Sequence, residues 1–185
     1  MRVIAGEYKG RPLKAVPGDN TRPATDKVKE SIFNIIGPYF DGGYCFDMFS
    51  GSGGLAIEAV SRGIDHAILS EKNNKAIKII HENIAMTREP EKYTVMGGDS
   101  RKNVQKFAQA NPNVTFRLVI LDPPYHADKS VSDIHLLQEC GLIDSDTTIV
   151  CEMDKENTLP DEIEAYYKRK RVEYGTIAVE VFEGK

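Results

Sequence analysis

The sequence predicts an α/β protein with an open, mostly parallel sheet that ends in an antiparallel hairpin. Two observations lead there. From Tyr44 onward, short apolar runs alternate with longer stretches at helical spacing. Strand, helix, strand repeated in this way implies a parallel sheet covered on both faces. The end of the chain breaks the rhythm: Tyr167–Glu173 and Ile177–Phe182 alternate residue by residue and meet through Tyr174-Gly175-Thr176, a hairpin pattern.

The elements follow in order. Val3, Ala5 and Tyr8 around Gly6, then Pro12, Leu13 and Val16 with Gly10 available for a turn, read as a short β-hairpin or extended arm. Thr25 and Asp26 can start a helix, because their side-chain oxygens accept from its first free amides. Val28, Ile32, Ile35 and Ile36 then fall on one helical face that ends near Gly37-Pro38. Strands are predicted over Tyr44–Phe49, Ala67–Ser70, Tyr93–Met96, Leu118–Leu121 and Thr147–Cys151. Helices are predicted between them over Leu55–Arg62, Lys75–Ala85, Arg101–Ala110 and Val131–Glu139. The organisation read from this is a basic arm over 1–23 and a main domain over 24–185, which includes a leading helix over 25–37.

At 185 residues, with 41% hydrophobic and 28% charged content, the chain can bury a sizeable core and is far from collagen-like or disordered compositions. No apolar run is long enough to cross a bilayer, and the opening residues break their apolar stretch too early for a signal peptide. Cys45, Cys140 and Cys151 are widely spaced and read as reduced thiols of a cytoplasmic protein, with no metal site. The net charge of −4 argues against whole-surface attraction to a polyanion. Its distribution does not: residues 1–23 carry +3, through Arg2, Lys9, Arg11, Lys14 and Arg22 against Glu7 and Asp19. A basic arm on an acidic body suits local contact with nucleic acid; an ordinary solvated hairpin is the plain alternative.

Asp47-Met48-Phe49-Ser50-Gly51-Ser52-Gly53-Gly54-Leu55 runs from a strand end into a helix. Glycines at such a turn let the backbone approach a ligand and leave helix amides facing it. A lone Gly-x-Gly is more often a tight turn. Here Asp47 precedes the turn, Glu71 closes the next strand and Asp99 the one after. Three strand-end carboxylates suit a ligand with an amine, a ribose diol and an adenine amino group, and would repel a pyrophosphate. That pattern favours S-adenosylmethionine over a dinucleotide.

Asp122-Pro123-Pro124-Tyr125 follows the fourth predicted strand. The two prolines fix φ and remove two backbone donors, leaving carbonyls free to accept. A carboxylate and a proline carbonyl can together hold both hydrogens of a planar amino group, and Tyr125 offers a face on which a base can stack.

Asp-Pro-Pro-Tyr combined with Asp-x-Phe-x-Gly-x-Gly resembles the class I methyltransferases, Rossmann-like enzymes that modify exocyclic amino nitrogens. More closely, three segments resemble the RsmD-type 16S rRNA (guanine-N2)-methyltransferases. They are Thr21-Arg22-Pro23-Ala24-Thr25 with Val28, Glu30 and Phe33-Asn34, then Asp47 through Glu58-Ala59-Val60-Ser61-Arg62-Gly63, then Asp122–Tyr125. The opening Arg2-Val3-Ile4-Ala5-Gly6 and Lys9-Gly10-Arg11 resembles that family's start. Ser50 stands where the family has Ala, and Ala56 where Gly is common.

The resemblance implies methyl transfer from S-adenosylmethionine to the 2-amino group of one guanine, the base numbered 966, in 16S rRNA of a small ribosomal subunit or its assembly intermediate. It implies that Asp47, Phe49, Ser50, Gly51 and Gly53 line the methionine end of the cofactor. Glu71, with Lys72 beside it, would take the ribose, and Asp99 with Ser100 the adenine edge. Asp122, Pro123, Pro124 and Tyr125 would form the catalytic set, and Arg2, Lys9, Arg11, Lys14 and Arg22 the RNA contacts. A monomer is the default. The rival readings are an amino-methyltransferase of another target (adenine-N6 or cytosine-N4 in DNA, or a protein glutamine) and an RNA-binding assembly factor without catalysis. His66, His81, His126 and His135 show no ligand spacing, and the run Lys168-Arg169-Lys170-Arg171 reads as charge protection of an exposed edge strand as readily as an RNA contact.

Overall fold

The computed structural model describes residues 1–17, 25–123 and 128–185. The arm comes first. Val3 N–H donates to the Arg11 carbonyl (2.9 Å), Leu13 N–H to that of Met1 (2.9 Å) and Gly10 N–H to that of Val3 (2.8 Å), which makes a small hairpin. Its apolar residues Val3, Tyr8 and Leu13 are buried, so it lies docked on the body. Gly6 explains the closeness of that docking: with φ +87°, a Cβ there would stand 1.9 Å from the Ser61 carbonyl oxygen.

Helix α1 spans Asp26–Ile36 and begins where its cap predicts, with Thr25 Oγ1 accepting from Val28 N–H. Strands β1 (Tyr44–Asp47), β2 (His66–Glu71), β3 (Tyr93–Gly97), β4 (Leu118–Leu121) and β5 (Thr148–Asp154) run parallel. Helices α2 (Gly54–Ser61), α3 (Asn74–Thr87), α4 (Ser100–Ala110) and α5 (Asp128–Glu139) connect them. A two-residue β6 (Glu162–Ile163) and the hairpin of β7 (Tyr166–Tyr174) and β8 (Ile177–Gly184) complete an eight-stranded sheet of order β3-β2-β1-β4-β5-β8-β7-β6. Strand β8 is antiparallel to β5.

Side chains alternate between two cores, as strand geometry requires. Cys45, Leu118 and Ile120 face the layer of the arm, α1, α2 and α3. Phe46, Val119 and Leu121 face α4 and α5, where the Phe46 and Phe116 rings stack at 5.0 Å.

The tail adds one element to the expected hairpin. The short β6 had no signal in the sequence; it pairs with Tyr166 and Tyr167, so among the described residues the basic run that follows in β7 still lies at the sheet edge. Three cations of that run are also tied down by acids. Lys168 Nζ and Arg171 Nη1 reach Glu180 Oε2 at 3.3 and 2.6 Å, and Arg169 Nη1 reaches Glu183 at 3.1 Å. Lys168 and Arg171 also donate to the carbonyls of Leu159, Asn157 and Lys155, so they fasten the loop between β5 and β6.

Candidate active site

In the sheet order, the chain winds outward in one direction from β1 to β3 and in the other from β4 to β5. The carboxyl ends of β1 and β4 therefore flank the switch point where open α/β sheets form a ligand crevice. Asp47 ends β1, and Asp122 directly follows β4. Asp47 is 2% exposed, and its Oδ1 has no hydrogen-bond partner. Burial pushes its carboxyl up to about 8; the negative charge of Asp122 and, more weakly, of Glu71 push the same way, while the Phe49 amide opposes them. Asp122 and Pro123 are half-buried beside it. Pro124, Tyr125 and His126 lie outside the described residues, as does Arg22.

The turn after β1 is shaped as the glycines predict. Gly51 has φ +56° and Gly53, the residue before α2, has φ +84°. No atom lies within 4 Å of where a Cβ on Gly51 would stand, whereas one on Gly53 would press at 3.2 Å on Leu69. So the first glycine serves the backbone turn and the second also serves packing against β2. Ser50 is buried, its Oγ donating to the Asp47 carbonyl at 2.9 Å; Phe49 is half-buried.

Glu71 closes β2 and braces this turn: Oε1 accepts from Gly51 N–H at 2.8 Å. Its Oε2 accepts from Lys72 N–H (3.0 Å) and Asn73 N–H (2.9 Å). An ionised carboxylate has about four acceptor positions, so three amides still leave room for a ribose hydroxyl. The Lys72 side chain is exposed.

Asp99 differs from its expected place. Strand β3 ends at Gly97, and Asp99 caps α4, accepting from Lys102 N–H at 3.0 Å. Those amide bonds hold its carboxyl below the usual range, so it stays ionised. Asp99 and Ser100 line a cleft of about 400 Å³ between α4 and α5, walled also by Arg101, Lys129, Ser132 and Asp133. The pair Arg101–Asp133 (2.7 Å) crosses it, with Asp133 buried; the sequence alone had not singled it out.

An S-adenosylmethionine-type ligand fits this donor set. The unpartnered buried oxygen of Asp47 asks for a cation or donor, the positive-φ glycines leave the backbone open, and Glu71 offers a diol acceptor. Among the described residues, no group of three His, Cys, Asp or Glu side chains gathers as a metal site.

The expected RNA contacts divide. Arg2 and Lys9 are exposed. Arg11 lies 5.2 Å over the Tyr8 ring and donates to the Thr87 and Met86 carbonyls at the end of α3. Lys14 pairs with Glu82 at 3.2 Å. Sequence reasoning missed the anchor beneath the arm. Fully buried Glu58 accepts from Ile4 N–H (2.9 Å), Ala5 N–H (3.1 Å) and Arg62 Nε (2.7 Å), with Lys29 Nζ at 3.4 Å. Lys29 in turn donates to the Arg2 carbonyl at 2.7 Å. The signal available was Glu58 and Arg62 one helical turn apart in an otherwise apolar helix.

Comparison with known proteins bears on the family and the fold. The family profile described as Conserved hypothetical protein 95 matches residues 1–183. The protein named "Putative rRNA methyltransferase YlbH" of Bacillus subtilis (strain 168) is 43% identical over 183 residues, which are 99% of this chain and 98% of the relative. Ribosomal RNA small subunit methyltransferase D of Escherichia coli (strain K12) is 31% identical over 163 residues, 86% of this chain and 78% of the relative. A conserved hypothetical protein of Streptococcus pyogenes superposes with a TM-score of 0.77 at 42% identity, over 85% of this chain and 96% of that one. The yhhF protein of Escherichia coli does so with a TM-score of 0.82 at 28% identity, over 100% of this chain and 98% of that one. With profile, relatives and fold in accord along nearly its whole length, the chain belongs to the Conserved hypothetical protein 95 family, the RsmD family that its motifs resemble.

Proposed function

We propose that the protein is an S-adenosylmethionine-dependent rRNA methyltransferase that methylates the exocyclic N2 of a guanine in 16S rRNA, the base that the family resemblance numbers 966. The observation that carries the reading is the pairing of Asp47 and Asp122 at the switch point, beside a glycine turn braced by Glu71. The names of the relatives supply rRNA as the substrate class, and the resemblance of Asp122-Pro123-Pro124-Tyr125 supplies the amine.

S-adenosylmethionine supplies a methyl group already activated on a sulfonium. The chain's task is therefore to make a poor nucleophile better, because the lone pair of a purine amine is delocalised into its ring. Asp122 and the Pro123 carbonyl accept hydrogen bonds from the two amine hydrogens, favour a pyramidal nitrogen and stabilise the positive charge growing on it. Such stabilisation by groups already in place is worth about 10²–10³-fold per partner, and holding the amine in line adds the proximity contribution. Tyr125 stacks on the guanine in this reading.

The test follows labelled methyl groups into unmethylated small ribosomal subunits, free 16S rRNA and duplex DNA, with wild type beside Asp122→Ala. N2-methylguanosine in the ribosomal samples, reduced at least 100-fold by the substitution, is the expected result. Methylated adenine in DNA would replace this reading with the DNA enzyme, and cofactor binding without transfer would replace it with the assembly factor.

A further inference from the structure

Helix α3 buries Ala76, Ile80, Asn83, Ile84 and Thr87 on one face. An amide in the middle of such a stripe costs stability unless its donors and acceptor are satisfied. Asn83, 2% exposed, is satisfied by two different parts of the molecule. Its Oδ1 accepts from Lys14 N–H at 2.8 Å, and its Nδ2 donates to the Lys14 carbonyl at 3.0 Å, so it grips the arm as a neighbouring strand would. The same Nδ2 donates to the Ser52 carbonyl at 2.9 Å. Ser52 lies inside the glycine turn, between Gly51, held by Glu71, and Gly53, packed on Leu69 and Ile80. One buried side chain thus joins the backbone of the cofactor turn to the backbone of the basic arm.

We infer that Asn83 is a positioning residue that couples the two halves of the site, so that occupancy of the glycine turn by the cofactor and engagement of rRNA by the arm strengthen each other. The inference rests on the methyltransferase reading above. A contiguous hydrogen-bond chain between two ligand-contacting segments is a physical route for such coupling. Linkage then requires that each ligand change the affinity of the other by one and the same factor. The bonds to the arm use the Lys14 backbone, so the coupling is independent of the Lys14 ammonium and its pair with Glu82.

Two measurements test this. In the wild type, hydrogen exchange at the Lys14 amide is followed with and without S-adenosylhomocysteine. At least fivefold slower exchange in the liganded protein is expected, although the arm lies beyond the glycine turn; unchanged exchange overturns the inference. Separately, the dissociation constant of S-adenosylhomocysteine is measured with and without saturating unmethylated 16S rRNA. The comparison covers wild type, Asn83→Ala and Asn83→Asp, the last keeping the acceptor for Lys14 N–H but losing both donated bonds. A coupling factor of about fivefold or more is expected in the wild type, falling towards one in both variants. A purely structural Asn83 would weaken both ligands and leave the factor intact, which would sink the idea, as would a wild-type factor of one. Failure of the wild type to bind S-adenosylhomocysteine would overturn the methyltransferase reading along with the inference, whereas binding without coupling overturns the inference alone.

Discussion

At Asp47 a carboxyl sits almost without solvent, one oxygen unpartnered, with the charges of Asp122 and Glu71 nearby. Its value near 8 lies far above the ordinary 3.8, so the folded, ligand-free protein holds this proton more tightly than the unfolded chain. The contribution is present in full below pH 4, declines as pH rises and is lost by about pH 8. Thermal midpoints of wild type and Asp47→Asn should therefore agree near pH 4 and diverge to pH 8, with the wild type falling further. A constant offset across that range would refute the assignment of the proton. A cationic ligand seated here makes ionisation favourable again, so S-adenosylmethionine binding at pH 7 should release up to one proton, read from binding enthalpies in two buffers of different ionisation heat. The strand-end acids Asp47 and Glu71 were legible because a carboxylate closing an apolar run is conspicuous. Asn83 and Glu58 were not, because their partners are backbone groups of the arm, distant in sequence and brought there by the fold.

Among the elements, the tail hairpin shows how charge can be structural. Glu180 on β8 is fully buried and meets Lys168, Arg171, Thr158 Oγ1 and the Leu159 amide. Replacing it with alanine removes the buried partner of Lys168 and Arg171 and the acceptor of the Leu159 amide; loss of one side of a buried ion pair typically costs about 3–5 kcal/mol. Equilibrium denaturation of Glu180→Ala should show a loss of that size, while Glu173→Ala, at the exposed end of the same network, should stay within about 1 kcal/mol. The α/β alternation was readable because each strand is a short apolar run and each helix carries a 3.6-residue stripe. The two-residue β6 was not, since so short a strand has no periodicity. The ion pairs of the run in β7 were not readable either, because a one-strand reading cannot see that the facing strand supplies the acids.

For the molecule as a whole, charge is divided between an acidic body and a basic arm whose cations are only partly free for a partner. Arg11 and Lys14 are committed to α3, while Arg2 and Lys9 are exposed. Two or three phosphate contacts would give a slope of log affinity against log salt of about −1.4 to −2 for single-stranded RNA. Titration of 16S rRNA between low and moderate salt measures it, and a flat response or a slope beyond about −5 would contradict the arm as the principal contact. The arm's docking also has a consequence for how the protein is made. Its anchors, Glu58 and Ser61 on α2, Asn83 on α3 and Glu89 beyond it, are all synthesised after it. During translation Val3, Tyr8 and Leu13 must wait, apolar and unpaired, until the ribosome has delivered three further helices. The segment proposed to read ribosomal RNA is thus made before the helices that hold it and settles only after them.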